Sequence, residues 1–181
     1  GSANGKLQRE ALAALDWLVV RDFSEIETAS FWHNAPEIET GELVTEEIGT
    51  EVFLMPAAAH TEKDGSFTNT QRLLQWHYKA VEPRDDCRSE LWFYYHLGLK
   101  LREKLKGSED PKNRPLLDLT WFYAPVGGHN EPSAEAVLAE IGGHDSAGQA
   151  LAAYKLLKSD GTTACGCWIY CGVYADDENK A

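Results

Sequence analysis

An α/β fold, with a mostly parallel sheet and flanking helices, follows from three features of the chain. Two short continuous apolar runs, Trp17 to Val20 and Val52 to Met55, suit strands buried on both faces. Amphipathic stretches precede and separate them, the alternation from which βαβ units are built. Asp22 ends the first run, about 20 residues beyond the glycine-bearing opening at 1–5, the spacing of a Rossmann-like dinucleotide unit.

Composition limits what such a chain can do. Its 181 residues are 43% hydrophobic and 10% aromatic, which suits a packed core and argues against disorder. No stretch reaches the roughly 18 apolar residues that cross a bilayer, so direct membrane contact is not expected. Twenty-nine acidic residues face seventeen Lys and Arg, a net charge of −12, which repels nucleic acid and anionic lipid.

The elements follow in order. Leu7, Ala11, Leu12 and Leu15 share one face of a helix over 7–15, and a second helix is expected over 25–33. The span 25–51 carries eight Glu and no Lys or Arg, and its part from Glu37 to Thr50 reads as a solvated surface loop. After the second strand come Pro56 and a polar segment at 60–72. Ser89 is an expected N-cap for a helix to Lys106. Beyond Gly107 the chain is proline-rich. Leu116–Tyr123 reads as a strand, 133–141 as a helix, 147–157 as a short amphipathic stretch, and Cys165–Cys171 as a buried strand of small and large residues. The expected division is a compact α/β domain over 1–106 and a looser extension over 107–181.

Chemistry concentrates in two places. A glycine turn that opens a helix can hold phosphate, and an acidic residue at the next strand end can accept hydrogen bonds from a nucleotide hydroxyl, which marks Asp22. From the residues alone, a plain turn with a solvated Asp22 is the favoured reading. The loop Glu62–Arg72 gathers hydroxyls, amides, charges and one guanidinium suited to a phosphate-bearing ligand, although composition alone favours an exposed hairpin. The six histidines form no H-x-x-x-H pair, and His77 and His96 stand in aromatic surroundings. Cys165, Cys167 and Cys171 lack a nearby fourth ligand, so core thiols are expected there and no metal site is assigned.

Segments along almost the whole chain resemble the catalytic (alpha or major) subunit of formate dehydrogenases, of the molybdopterin oxidoreductase family. They are EKDGSFTNTQRLLQWHYKAVEP from Glu62, WLVVRDF from Trp17, ETA from Glu27, LMPAAA from Leu54, LDLTW from Leu117 and DGTTACGCWIY from Asp160. The E-K-[DE]-G-x-[FY] stretch resembles molybdopterin enzymes broadly. QWHYKA and ACGCWIY resemble the larger, respiratory-type formate dehydrogenases.

The resemblance implies a later α/β domain that cradles one of two molybdopterin guanine dinucleotides around molybdenum or tungsten. The [4Fe–4S] cluster, the metal-ligating selenocysteine or cysteine and the catalytic residues belong to other parts of the family pattern. No catalytic or metal residue is therefore assigned here, and the chain reads as an internal piece. Position by position, the resemblance implies that Arg21 and Asp22 meet the guanosine and that Thr28 follows in the next turn. Pro56 and Ala57 fall at the second strand end, and Asp64, Asn69 and Arg72 in the polar loop. Implied partners are the rest of the catalytic subunit, an iron–sulfur electron-transfer subunit and formate. The implied location is periplasmic, within a membrane-associated complex, or cytoplasmic. Another molybdopterin oxidoreductase, or a free-standing nucleotide- or partner-binding domain, is the alternative.

Overall fold

A computed structural model describes residues 3–181; Gly1 and Ser2, two of the five residues of the expected glycine turn, lie outside the described residues. The architecture is mixed α/β, with helices and, among the described residues, four two-stranded sheets. The chain forms two compact units. One runs to Ala59 and includes Pro83–Arg88; the other comprises His60–Glu82 and Ser89–Ala181. The break expected at residue 106 falls inside the second unit.

In the first unit, α1 (Gly5–Leu12) starts at Asn4, whose side chain accepts from the Leu7 N–H. Next come β1 (Trp17–Asp22), α2 (Glu27–Asn34), α3 (Pro36–Glu39) and β2 (Glu51–Pro56). β1 and β2 pair in parallel, from Trp17 opposite Glu51 to Asp22 opposite Pro56. Theirs is the one parallel sheet among the described residues, since the other three sheets are antiparallel. Val20, Ala29, Phe31, Ala35, Ala57 and Ala58 are buried in this unit.

Two expectations fail here for identifiable reasons. Neither strand is buried on both faces: Trp17 is 64% exposed, and Val19 and Phe53, cross-strand partners on the same face, are exposed as well. A single strand pair with short helices cannot cover both sides, whereas a full parallel sheet is normally sandwiched. The Glu-rich stretch is also not uniformly solvated. Glu37 is buried because the Arg9 guanidinium reaches it with two hydrogen bonds, at 2.6 and 2.9 Å.

The second unit opens with the antiparallel pair β3 (Gly65–Thr68) and β4 (Leu74–His77). Helix α4 (Glu90–Lys104) follows, capped by Ser89, whose Oγ accepts from the Trp92 N–H at 2.8 Å. The remaining elements are α5 (Arg114–Leu117), β5 (Pro125–Val126), β6 (Glu131–Pro132), α6 (Ala134–Ile141), β7 (His144–Asp145) and β8 (Thr163–Ala164). Helices α4 and α6 agree closely with the stretches expected from capping and periodicity.

Two other expectations do not hold, those of strands over 116–123 and 165–171. The strand expected over 116–123 gives way to α5, with proline in its first turn, and then to irregular backbone. The stretch 147–157 is a loop folded on Asp145, whose Oδ1 accepts from Ala147 N and Gln149 N, followed by one 3₁₀ turn at Tyr154–Leu156. The cysteine strand is absent. β8 ends at Ala164, Trp168–Tyr170 is a 3₁₀ turn, and the three thiols are half-buried. The small residues serve close backbone contact instead: a side chain at Gly166 would meet Ile141 Cβ at 2.8 Å.

Candidate functional site

The first unit gathers residues at the carboxyl ends of its parallel strands. Pairing of Arg21 with Met55 and of Asp22 with Pro56 sets these ends side by side, and Ala57 N donates to Asp22 O at 3.1 Å. Asp22 Oδ1 accepts from Phe23 N at 2.7 Å, while its other carboxylate oxygen accepts no hydrogen bond from the described residues. Ala57 and Ala58, directly after β2, are buried and carry only methyl side chains. Thr28 is exposed in the first turn of α2, the helix that β1 leads into.

A residue that the sequence did not mark completes this corner. Arg88 lies alongside Ala57 in a parallel bridge, with Arg88 N donating to Pro56 O at 3.2 Å and Ala58 N donating to Arg88 O at 2.8 Å. The same carbonyl accepts from Arg21 Nη2 at 2.9 Å, which fixes the Arg21 guanidinium against the strand ends. Arg88 Nη1 donates to the carbonyls of Asp85 and Cys87. The Arg21 guanidinium and the Asp22 carboxylate thus stand at the strand ends, where an open α/β sheet usually holds its ligand, and Arg88 supports them through its backbone.

The second unit carries the other three expected residues on its first hairpin, and there the structure gives each a local task. Asn69 Oδ1 accepts from Gln71 N and Leu73 N and so shapes the turn between β3 and β4. Asp64 Oδ1 accepts from Lys79 N at 2.7 Å. Arg72 is exposed with φ +66°, and its guanidinium lies 5.5 Å from the centre of the Trp168 ring. The segment is therefore a hairpin with an ordered turn. Of the eight expected residues, Arg21, Asp22, Thr28, Pro56 and Ala57 belong to the first unit and Asp64, Asn69 and Arg72 to the second.

Beside this hairpin lies a cavity of about 290 Å³ lined by His60, Lys63, Ser66, Phe67, His77 and Glu90. Phe67 sits between the two imidazoles, 4.8 Å from His60 and 4.9 Å from His77, and Lys63 is ion-paired with Glu90. A Cβ at Gly65 would come within 3.3 Å of His77 Nε2, so glycine lets that ring approach. A second cavity of about 320 Å³ includes Glu140, His144, Tyr174 and Asp177 in its wall. Glu140 accepts from Tyr123 Oη at 2.5 Å, and burial together with this carboxylate pushes the Tyr123 phenol well above its usual pKa. Among the described residues, no group of three or more His, Cys, Asp and Glu converges as a metal ion would require. Nor is any helix among them long and apolar enough to cross a membrane.

No family model matches the chain. Comparison with known proteins nevertheless relates it to the subunits of oxidoreductases. More narrowly, its relatives are formate dehydrogenase alpha or major subunits, and the chain corresponds to one segment of such a subunit. It is 33% identical, over 99% of its own length, to the formate dehydrogenase subunit alpha of Megalodesulfovibrio gigas. It is 32% identical over 93% of its length to the formate dehydrogenase-O major subunit of Escherichia coli strain K12. The formate dehydrogenase 2 subunit alpha (cytochrome c-553) of Nitratidesulfovibrio vulgaris is 31% identical over 98% of the chain. The chain spans only 17–18% of the length of these relatives.

Proposed function

We propose that this chain is the segment of a formate dehydrogenase catalytic subunit that holds one molybdopterin guanine dinucleotide, in a subunit that oxidises formate to carbon dioxide. The observation that carries this reading is the corner formed by Arg21, Asp22, Pro56 and Ala57. The pairing of β1 with β2 brings these residues together, and the likeness to formate dehydrogenase subunits runs through all of them. The reading extends β1 and β2 into a larger Rossmann-like sheet in the whole subunit.

The residues present fit the nucleotide end of such a group. The open Asp22 oxygen can accept from hydroxyl or ring N–H groups, and Arg21, steadied by the Arg88 carbonyl, offers charge to phosphate. Buried Ala57 permits close approach of the backbone. On the hairpin, Asn69 holds the turn, Asp64 ties the opposite, open end through Lys79 N, and Arg72 presents the remaining cation. The cofactor's molybdenum or tungsten supplies the two-electron chemistry when bound; this segment orients the dinucleotide and sets its electrostatic surroundings. Electrons would leave through the pterin toward a [4Fe–4S] cluster elsewhere in the subunit and then to an iron–sulfur partner subunit.

Two experiments test this. The isolated chain should oxidise no formate with any electron acceptor, and measurable turnover would contradict the assignment of catalysis to other segments. In a full-length subunit carrying this segment, Asp22→Ala or Arg72→Ala should lower guanine-dinucleotide content on mass analysis. Full cofactor occupancy in both variants would remove the site assignment.

A further inference from the structure

We infer that Cys165 and Cys171 form an oxidisable dithiol pair whose disulfide clamps the turn carrying Trp168. Both cysteines close on Gly143, the residue that follows the C-cap of α6. Each is followed by a glycine, and these glycines donate to consecutive carbonyls of the same turn: Gly166 N to Ile141 O and Gly172 N to Gly142 O, both at 3.0 Å. A methyl group on Gly143 would lie 2.9 Å from Cys171 Sγ, 3.4 Å from Cys165 Cβ and 3.6 Å from Cys171 Cβ. The three heavy atoms nearest to that point thus belong to this pair, and none belongs to Cys167. The two Cβ legs cap the separation of the β-carbons at about 7 Å, so a short closing movement brings them to the roughly 4 Å of a disulfide.

The crossing is built for close approach. Gly143 has φ +97°, and a side chain at Gly172 would meet Ala152 O at 2.6 Å. Neither position has room for a larger residue, so both sulfur-bearing segments lie close against the turn that follows α6. Both thiols are free and half-buried. Burial, and then the neighbouring Cys165, push the Cys171 thiol upward.

The oxidant is a small-molecule disulfide such as oxidised glutathione. One cysteine thiolate attacks a sulfur of that disulfide, forming a mixed disulfide and expelling one glutathione thiolate. The second cysteine thiolate then attacks the protein sulfur of the mixed disulfide and expels the other. The pair loses two electrons and two thiol protons, and the small disulfide becomes two thiols. The new S–S bond closes a loop around the 3₁₀ turn Trp168–Tyr170. Trp168 packs against Tyr154 at 5.7 Å and carries the Arg72 guanidinium, so oxidation stiffens the surface on which Arg72 rests. The dithiol itself does not depend on a cofactor role for Arg72.

The test uses the full 181-residue chain. It is incubated with oxidised glutathione, quenched with N-ethylmaleimide, cleaved with chymotrypsin and mapped by mass spectrometry. The expected product has lost two hydrogens and links the peptide containing Cys165 to that containing Cys171, with Cys87 and Cys167 alkylated. Dithiothreitol should reverse the link, and Cys167→Ser should retain it. Oxidation should also change tryptophan fluorescence, and Trp168→Phe should lose that change while keeping the cross-link. Four alkylated thiols, a persistent glutathione adduct, or a link through Cys167 or Cys87 would overturn the inference. Because wild-type mapping decides the matter, a Cys165→Ser variant that fails to fold does not obscure it. Cofactor retention is not among the readouts, so failure here is distinct from failure of the dinucleotide reading.

Discussion

Glu37 is the most strongly committed carboxylate of the first unit. Arg9 donates two hydrogen bonds to it and lowers its pKa from the usual carboxylate range to about 2. A carboxyl group whose folded pKa is depressed contributes stability that is complete above its unfolded value and disappears as pH falls through the folded value. This contact should therefore hold at neutral pH and fade between about pH 4.5 and pH 2. Glu37→Gln should lower stability at pH 7 and move the acid-unfolding midpoint upward, with the two proteins converging near pH 2, as followed by circular dichroism. At this scale the sequence reading is mixed. Asp22 was legible because a carboxylate at the end of an apolar run stands out. Glu37 was hidden among eight Glu, because its burial depends on Arg9, 28 positions away. Arg88 was hidden as well, since it reaches the strand ends from a segment that joins the first unit only through tertiary contact.

Helix α4 shows how element-scale forces combine. Ser89 satisfies the Trp92 N–H and also donates to Glu131, which ties the start of the helix to β6. Halfway along, Gly98 is buried against Trp121, where an added Cβ would lie 2.5 Å from Cζ3 of the indole. Glycine in a helix interior normally costs about 1 kcal/mol relative to alanine. Here Gly98→Ala gains that propensity but overpacks the indole contact, which typically costs about 1–3 kcal/mol. The variant should be no more stable than the wild type in denaturant titration, and a clear gain would mean that Trp121 moves away freely. Helices α4 and α6 were legible because their caps, Ser89 and Ser133, act within three residues. The 116–123 and 165–171 stretches were misread as strands because their apolar runs are too short to reveal a period. Proline and glycine geometry decided them instead.

Across the whole molecule, apolar surface is left uncovered in both units. Trp17 and Phe53 are exposed in the first, and Tyr94 and Phe122 in the second. Such exposure exceeds the scatter of single apolar residues expected on a finished surface. The isolated chain should therefore enhance the fluorescence of 1-anilinonaphthalene-8-sulfonate, and Trp17→Lys should reduce that signal with little change in far-ultraviolet circular dichroism. An unchanged signal would place the dye elsewhere. The sequence by itself determined the α/β character, the capped helices, the pairing partners β1 and β2, and the acidic surface. All of these depend on local periodicity, capping and composition. Tertiary structure alone decided which strand face remained open, which glutamate was buried and which arginine joined the strand ends. It also decided that Cys165 and Cys171 are the clustered cysteines lying closest to Gly143. Each of these is a contact between distant segments, whose energy depends on geometry that no local pattern encodes.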